Sequence, residues 1–522
     1  MASKSNLVNL DAMIKRSDFA STDGDGADYD SVSTISLRDF TPGALMGPSL
    51  RKPDFQRETN HWSPEQVVSL LECFVNGDLI PSVILWKSPA NVFVIDGGHR
   101  LSVLRAWIED DYGDSTTSQT FFGFEISKSQ KLAATRTRAL IAERVGTWQD
   151  FLDKSTEGTA DLSEKKRLNA VVTRGLSIQW VRGDADKAES SFFQINTKGT
   201  PLDEVEELLL RSRFKPVAIA ARAVIRSGKG HRYWSRFNNS TATKIEAAAK
   251  QVHTALFDPE LNQPIKTLDL PLAGPKGVRG ALQVLIELML VACRDQLGKP
   301  KDVVDMPNDE KGSETIKILT KTLALIRRMT GNEKGSLGLH PAVYFYGPTG
   351  RHSSPMFMGT AKLLAKKIIN NDKKFFQTFT EVRSSLEDVL IEHKDLMATI
   401  LQKLISLRRA EKYAELLDKI IEILAKGEKV TDGEIVKLAG LDGKIVTGNA
   451  DTETVNFSDD SKSKVFIRVA LASSVKCPIC DGYLDLPKSV SYDHSIRKQD
   501  GGKGSSKNLQ LTHPYCNQSV KN

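Results

Sequence analysis

The feature that most constrains this 522-residue chain lies in its last tenth. There Cys477 and Cys480 form a CxxC pair, and His513 and Cys516 form an HxxC pair 33 residues beyond Cys480. Three of the five cysteines fall within the last 46 residues, a distribution that makes no disulfide framework. Two such pairs match the tetrahedral sulfur and imidazole shell of structural zinc, with Cys477, Cys480, His513 and Cys516 as ligands. A redox role for the CxxC would leave the second pair unexplained.

Between the pairs runs YDHSIRKQDGG, a strand ending in Asp493 and His494 followed by a glycine-rich loop, and then Asn508 opens NLQLTHPYCN. An imidazole can take a proton from water because its ordinary pKa lies near the operating pH. A neighbouring carboxylate and an amide oxygen can hold a hard divalent cation against a phosphate oxygen, where it offsets developing charge. In this order the residues resemble an HNH nuclease, the ββα-metal fold. The resemblance implies Asp493 as metal ligand, His494 as general base, Asn508 as the residue that orients loop and histidine, and Asn517 as second ligand of a catalytic Mg2+ or Mn2+. It also implies that the zinc pairs flank the motif as a staple, with His513 where the family usually has Cys. A zinc ribbon that binds nucleic acid without cutting it would need the four ligands, but not Asp-His and two asparagines among them.

Charge agrees with a phosphate partner. The net charge is +7, and residues 461–522 carry ten Lys or Arg against four Asp or Glu. Arg497, Lys498, Lys503 and Lys507 surround the motif and are expected to contact a DNA backbone. Hydrophobic residues make up 40% and charged residues 26%, as in folded water-soluble domains. No apolar run approaches the roughly 20 residues that cross a bilayer, and the N-terminus lacks a secretory core, so a cytoplasmic protein is expected.

Length alone points to several domains. Residues 1–49, which include the acidic ASTDGDGADYDSVSTI, are expected to be a flexible arm. Residues 50–215 read as an α/β domain: a Ser-Pro helix start before Val67, Leu70, Leu71 and Phe74, then strands in LIPSVILW and NVFVID, a helix in SEKKRLNAVVTRGL and a strand in LSIQWV. Residues 216–440 are mainly helical. Leu386, Val389, Leu390, Met397, Leu401 and Leu404 keep helical spacing, as do Tyr413, Leu416, Leu417, Ile420, Ile421 and Leu424, which suggests a helical bundle serving as spacer or homo-oligomer surface. Residues 441–465 read as a linker and 466–522 as the nuclease domain. Cys73 and Cys293 stand alone at apolar positions and are expected in the core. The fold class expected is α+β and multidomain.

A second motif is VIDGGHRLSVLRAW, residues 94–107, where a strand runs through two glycines into a helix. Backbone N–H groups at such a helix start favour an anion, with Arg100 as a fork for phosphate and Asp96 as a metal or base contact. Taken with Arg57, Trp62 and FFQINTKGTPLDEVE, residues 50–215 resemble the N-terminal domain of GmrSD-type restriction proteins and of SspE nucleases, within the ParB/sulfiredoxin-like superfamily. The family's Asp-Gly-Gln-Gln-Arg corresponds to Asp96, Gly97, Gly98, His99 and Arg100, so Gly98 lacks a family side chain. Its second motif corresponds to Phe192 or Phe193, Asn196, Gly199 and Glu206. The resemblance implies binding, and often hydrolysis, of a nucleoside triphosphate, with ATP, GTP and CTP not distinguished, through Asp96, Gly97, Gly98, His99, Arg100 and Asn196.

The two ends together lead to the expectation of a metal-dependent endonuclease or nickase. It would act on foreign double-stranded DNA and be regulated by a nucleotide-binding domain, with no membrane partner. The competing expectations are a ParB-like, nucleotide-dependent DNA-binding protein with a non-cutting ribbon, and an RNA-directed nuclease.

Overall fold

The computed structural model describes residues 7–17, 19, 32–53, 56, 59, 62–157, 161–198, 204–228, 233–275, 278–294, 303–442 and 457–520. The protein is α+β and 56% helical. It forms two compact units, Met1–Arg213 with Lys229–Tyr233, and Phe214–Gly228 with Trp234–Asn522. No described helix is long and apolar enough to cross a membrane.

The first unit is built on six strands: β1 (Arg16–Ser17), β2 (Thr34–Ser36), β3 (Leu50–Pro53), β4 (Val83–Lys87), β5 (Val92–Asp96) and β6 (Gly175–Val181). Their order is β1-β3-β5-β4-β6-β2. β3 and β5 run parallel, β4 and β5 form an antiparallel pair with Trp86 opposite Phe93, and β4 and β6 run parallel. Side chains alternate along the central strands, so both faces are buried. Val83, Leu85 and Val94 join one core with Val67, Leu71 and Phe74, while Trp86, Phe93 and Ile95 join another with Phe19, Phe192 and Leu210. The helix Pro64–Asn76 has clear local causes. Ser63 and Gln66 form a capping box, Pro64 occupies the first turn, and Gly77 ends the helix at φ 84°.

Part of the expected flexible arm is structured. Val8, Leu10, Met13 and Ile14 are fully buried, and β1 and β2 belong to the sheet. Enough large apolar residues stand in 7–14 to bury that stretch, which the acidic composition further on obscured. Most of that acidic segment, residues 20–31, lies outside the described residues.

The second unit is a helical body with a two-stranded hairpin, β7 (Ser491–His494) and β8 (Leu509–Thr512). Ser354–Ile369 packs along Arg409–Ala425, and Asn239–Phe257 along Ser313–Met329. The apolar spacing of 386–404 is divided between two helices, Arg383–Glu392 and Lys394–Lys403, with a break at His393. Most of the expected linker, residues 443–456, lies outside the described residues. Its end does not read as linker, because Asp459–Ala472 is a helix capped by Ser458. Cys73 and Cys293 are half-buried rather than in the core.

Candidate functional site

The four expected zinc ligands converge. One ligand atom from each of Cys477, Cys480, His513 and Cys516 lies within 4.8 Å of every other, and all four residues are buried. His513 turns Nδ1 toward Cys480 Sγ at 3.3 Å, while Nε2 lies 3.0 Å from the Tyr483 carbonyl oxygen. A metal-ligating histidine characteristically donates its second N–H to such an oxygen, which fixes the ring and leaves the other nitrogen for the metal. The thiols influence one another strongly. Hydrogen bonding from Cys480 and Cys516 draws the Cys477 thiol down, and facing Cys477 pushes Cys516 up. Three crowded sulfurs cannot all ionise without a cation between them, so the donor set fits a soft divalent metal such as Zn2+.

The hairpin lies between the two pairs. Asp493 stands opposite Gln510 and His494 opposite Leu509. Asp493 is buried, accepting from the His494 backbone N–H through Oδ1 at 2.7 Å and from Gln510 Nε2 through Oδ2 at 2.8 Å. His494 is half-buried. Asn508, also buried, braces the connecting loop. Its Oδ1 accepts from the Ile496 N–H at 2.7 Å, and its Nδ2 donates to the Ile496 and Lys503 carbonyls at 3.1 and 3.0 Å. The loop closes tightly enough that a Cβ on Gly502 would lie 1.9 Å from the Ile496 oxygen. Asn517, in the turn Cys516–Val520, donates through Nδ2 to Ser491 Oγ at 2.7 Å. That orientation assigns Oδ1 to any cation it would help to hold. Arg497, Lys498, Lys503 and Lys507 are all exposed on the loop.

This assembly rests on the helical body. Val490 N–H donates to Asn332 Oδ1 at 2.7 Å, Ser489 Oγ to the Gly331 carbonyl at 2.7 Å, and Tyr515 N–H to the Ser336 carbonyl at 2.9 Å. Below it, the buried ion pair Arg383–Glu387 at 2.8 Å reaches out on both sides. Arg383 donates to the Leu337 and Gly338 carbonyls, and Glu387 accepts from Tyr344 Oη and the Tyr483 N–H. Sequence reasoning missed these residues, whose partners lie dozens to over a hundred positions away.

In the first unit, β5 ends at Asp96, Gly97 turns at φ 92°, and the helix Gly98–Glu109 begins. A Cβ on Gly97 would lie 2.6 Å from Val83 Cγ1, so the turn requires glycine on grounds of both space and conformation. The Arg100 fork is engaged within the protein, by Asp96 at 2.6 Å and the Pro81 carbonyl at 3.1 Å. His99 stacks on Trp62 with ring centroids 5.3 Å apart. A residue not singled out in the sequence, Gln56, presses its amide against the open side of Gly98. A Cβ there would sit 3.5 Å from Gln56 Nε2 and Oε1, and the buried Oε1 has no hydrogen-bond partner among the described residues. Behind it, Arg16 and Lys52 both pair with the carboxylate of Asp11, all three buried, and Arg16 also donates to the Gln56 carbonyl. The side chain of Asn196, and Arg57, Gly199 and the side chain of Glu206, lie outside the described residues.

Residues 40–215 match the family model described as GmrSD restriction endonuclease, N-terminal domain. The match covers about a third of the chain, and so describes one domain of it. Comparison with curated proteins and with solved structures finds no match. The chain therefore carries a stretch similar to the N-terminal domain of GmrSD restriction endonucleases and, in its last residues, a Cys3His cluster able to hold a metal.

Proposed function

We propose that the protein is a metal-dependent DNA endonuclease or nickase acting on foreign, phage or modified DNA. Its cutting residues are carried on β7, at the end of the hairpin loop and in the turn after β8, and it is regulated through its N-terminal domain. The observation that supports this best is that Asp493 and His494 stand adjacent at the end of β7, Asp493 held by Gln510 and the following loop closed by Asn508 on Ile496, between the two pairs of the Cys3His cluster. His494 is the base that removes a proton from the attacking water. Asp493 and Asn517 Oδ1 are the groups that would hold Mg2+ or Mn2+, which supplies charge stabilisation at the phosphate. Asn508 is a positioning residue: it keeps loop 495–508 folded, and with it Arg497, Lys498, Lys503 and Lys507, which face the phosphates.

The N-terminal domain binds a nucleoside triphosphate at the start of the helix Gly98–Glu109, where the backbone N–H groups favour an anion. The Gln56 oxygen, which has no hydrogen-bond partner among the described residues, supports a ligand that brings a donor, as a ribose hydroxyl or base amine would. Binding frees Arg100 from Asp96 for the phosphates.

Supercoiled plasmid, modified and unmodified, incubated with magnesium or manganese and each nucleotide in turn, tests both parts. His494→Ala is expected to abolish nicking with the fold and zinc content unchanged. Equal cutting by this variant sinks the mechanism, and nucleotide-dependent binding without scission under any metal would replace it with a DNA-binding clamp. Arg100→Ala is expected to abolish nucleotide binding, or its effect on cutting, which equilibrium titration with ATP, GTP and CTP measures.

A further inference from the structure

Beside the helix Ser313–Met329 runs a trough in two stretches, of about 1090 and 530 Å3, which share Ala324 and Arg328 in their walls. The smaller stretch is basic: Lys244, Arg327 and Lys334 join Arg328 against the one carboxylate of Glu333. The larger stretch is close to neutral and is walled in part by Phe376 and Tyr515. The cations come from separate elements. Lys244 is on Asn239–Phe257, Arg327 and Arg328 end Ser313–Met329, and Lys334 lies in the loop that supports the hairpin. Charges from three elements meeting in one concavity form a field that a single helix's solvated face would not.

Arg328 is the residue at the junction, and its surroundings are unusual for a structural arginine. Its guanidinium lies 4.0 Å from the Phe376 ring centroid and 5.0 Å from that of Tyr515, so its plane is fixed. Nη1 donates to the Gly335 carbonyl at 2.7 Å and the side chain interacts with the Tyr515 hydroxyl, while the buried Nε has no hydrogen-bond partner among the described residues. No carboxylate pairs with it among the described residues, and burial lowers its pKa from the ordinary value. A partly desolvated cation without a counter-charge, held rigid where two cavities meet, gains most from an external anion. A phosphodiester suits the fork, and the exposed Lys244 and Lys334 suit the phosphates on either side. Tyr515, against which Arg328 stacks, lies between the ligands His513 and Cys516, so the trough leads to the metal-stapled module.

We propose that this trough, centred on Arg328, is a second contact surface for the backbone of the DNA substrate, separate from the lysines of the hairpin loop. The proposal rests on the nuclease reading of the same unit. It involves phosphates rather than base edges, so it contributes affinity and register and leaves sequence preference unchanged.

The test uses full-length His494→Ala protein without divalent cation, and duplex DNA binding read by fluorescence anisotropy over a range of salt. Adding Lys244→Gln and Lys334→Gln, both at exposed positions, should reduce the slope of log affinity against log salt by about 1.8, close to 0.9 for each lost phosphate contact. Arg328→Lys, which keeps the charge but loses the fork, should weaken binding at low salt with little change in slope. A double variant whose slope and affinity equal the parent's overturns the trough while leaving the nuclease reading standing. Loss of slope in that variant, with wild-type protein unable to cut under any metal, keeps the trough and removes the nuclease reading.

Discussion

Asp485 shows how much a single side chain can hide from sequence reading. It is buried, and neither carboxylate oxygen has a hydrogen-bond partner among the described residues. Burial pushes its pKa up to about 7, opposed by the Lys488 ammonium and reinforced by Asp269. The folded protein therefore holds a proton that an unfolded chain releases near pH 4. The stability present below that pH is lost progressively as pH rises to about 7, by on the order of a few kcal/mol. Asp485→Asn cannot ionise. Its urea midpoint is expected to change less between about pH 5 and pH 8 than that of the wild type. An equal pH dependence in the two proteins would rule out Asp485 as the source. At this scale the C-terminal constellation was legible because its ligands and its Asp-His pair are close in sequence and chemically distinctive. Asp485 was not, since a carboxylate two residues beyond Tyr483 gives no sign that the fold will cover it. Gln56 was hidden for the same reason: its importance comes from Gly98, 42 positions away.

Among the elements, the bracing of the hairpin depends on a loop without a motif. Residues 331–338 hold Ser489, Val490 and Tyr515 largely through carbonyl oxygens, and main-chain acceptors leave no signature in a sequence. The helical periodicity was sounder but insensitive to breaks. Leu386 to Leu404 kept their spacing through His393, where one helix ends and the next begins, and where the imidazole Nδ1 meets Asp432 Oδ1 at 2.6 Å. Glu387 ties the helix Arg383–Glu392 to Tyr344 and to the zinc-side residue Tyr483. Glu387→Ala leaves Arg383 buried and unpaired, and is expected to cost about 3–5 kcal/mol in chemical denaturation. Replacing Arg383 and Glu387 together by apolar residues of similar volume should cost less than the single change. If the double variant is the less stable, Arg383 matters mainly through its bonds to Leu337 and Gly338.

For the whole molecule, a metal bound at the Cys3His cluster would couple to the fold. The cluster's two pairs flank the hairpin in the chain, so an ion held there would tie its two ends together. Dialysis against a strong chelator should release one zinc ion per chain, lower the melting temperature of the second unit and abolish cutting, with zinc restoring the fold before magnesium or manganese restores activity. Metal analysis that finds no zinc in active protein would refute the staple. The α+β class and the change from strand to helix patterns were legible along the chain. The burial of residues 7–14 against a distant sheet was not, because apolar residues next to an acidic tract carry no label of their partner.

The loop that braces the hairpin also bears on what can be moved between proteins. A boundary placed at residue 466, inside the helix Asp459–Ala472, would cut the stapled module away from Asn332, Ser336 and Glu387, which hold its backbone N–H groups. A fragment of residues 466–522 with zinc is therefore expected to give poorly dispersed amide spectra, while residues 214–522, which span the whole second unit, should give resolved ones. The inheritable cassette is then the helical body and the hairpin together, and recombination that exchanged only the metal-binding end would pass on ligands without the platform that orders them.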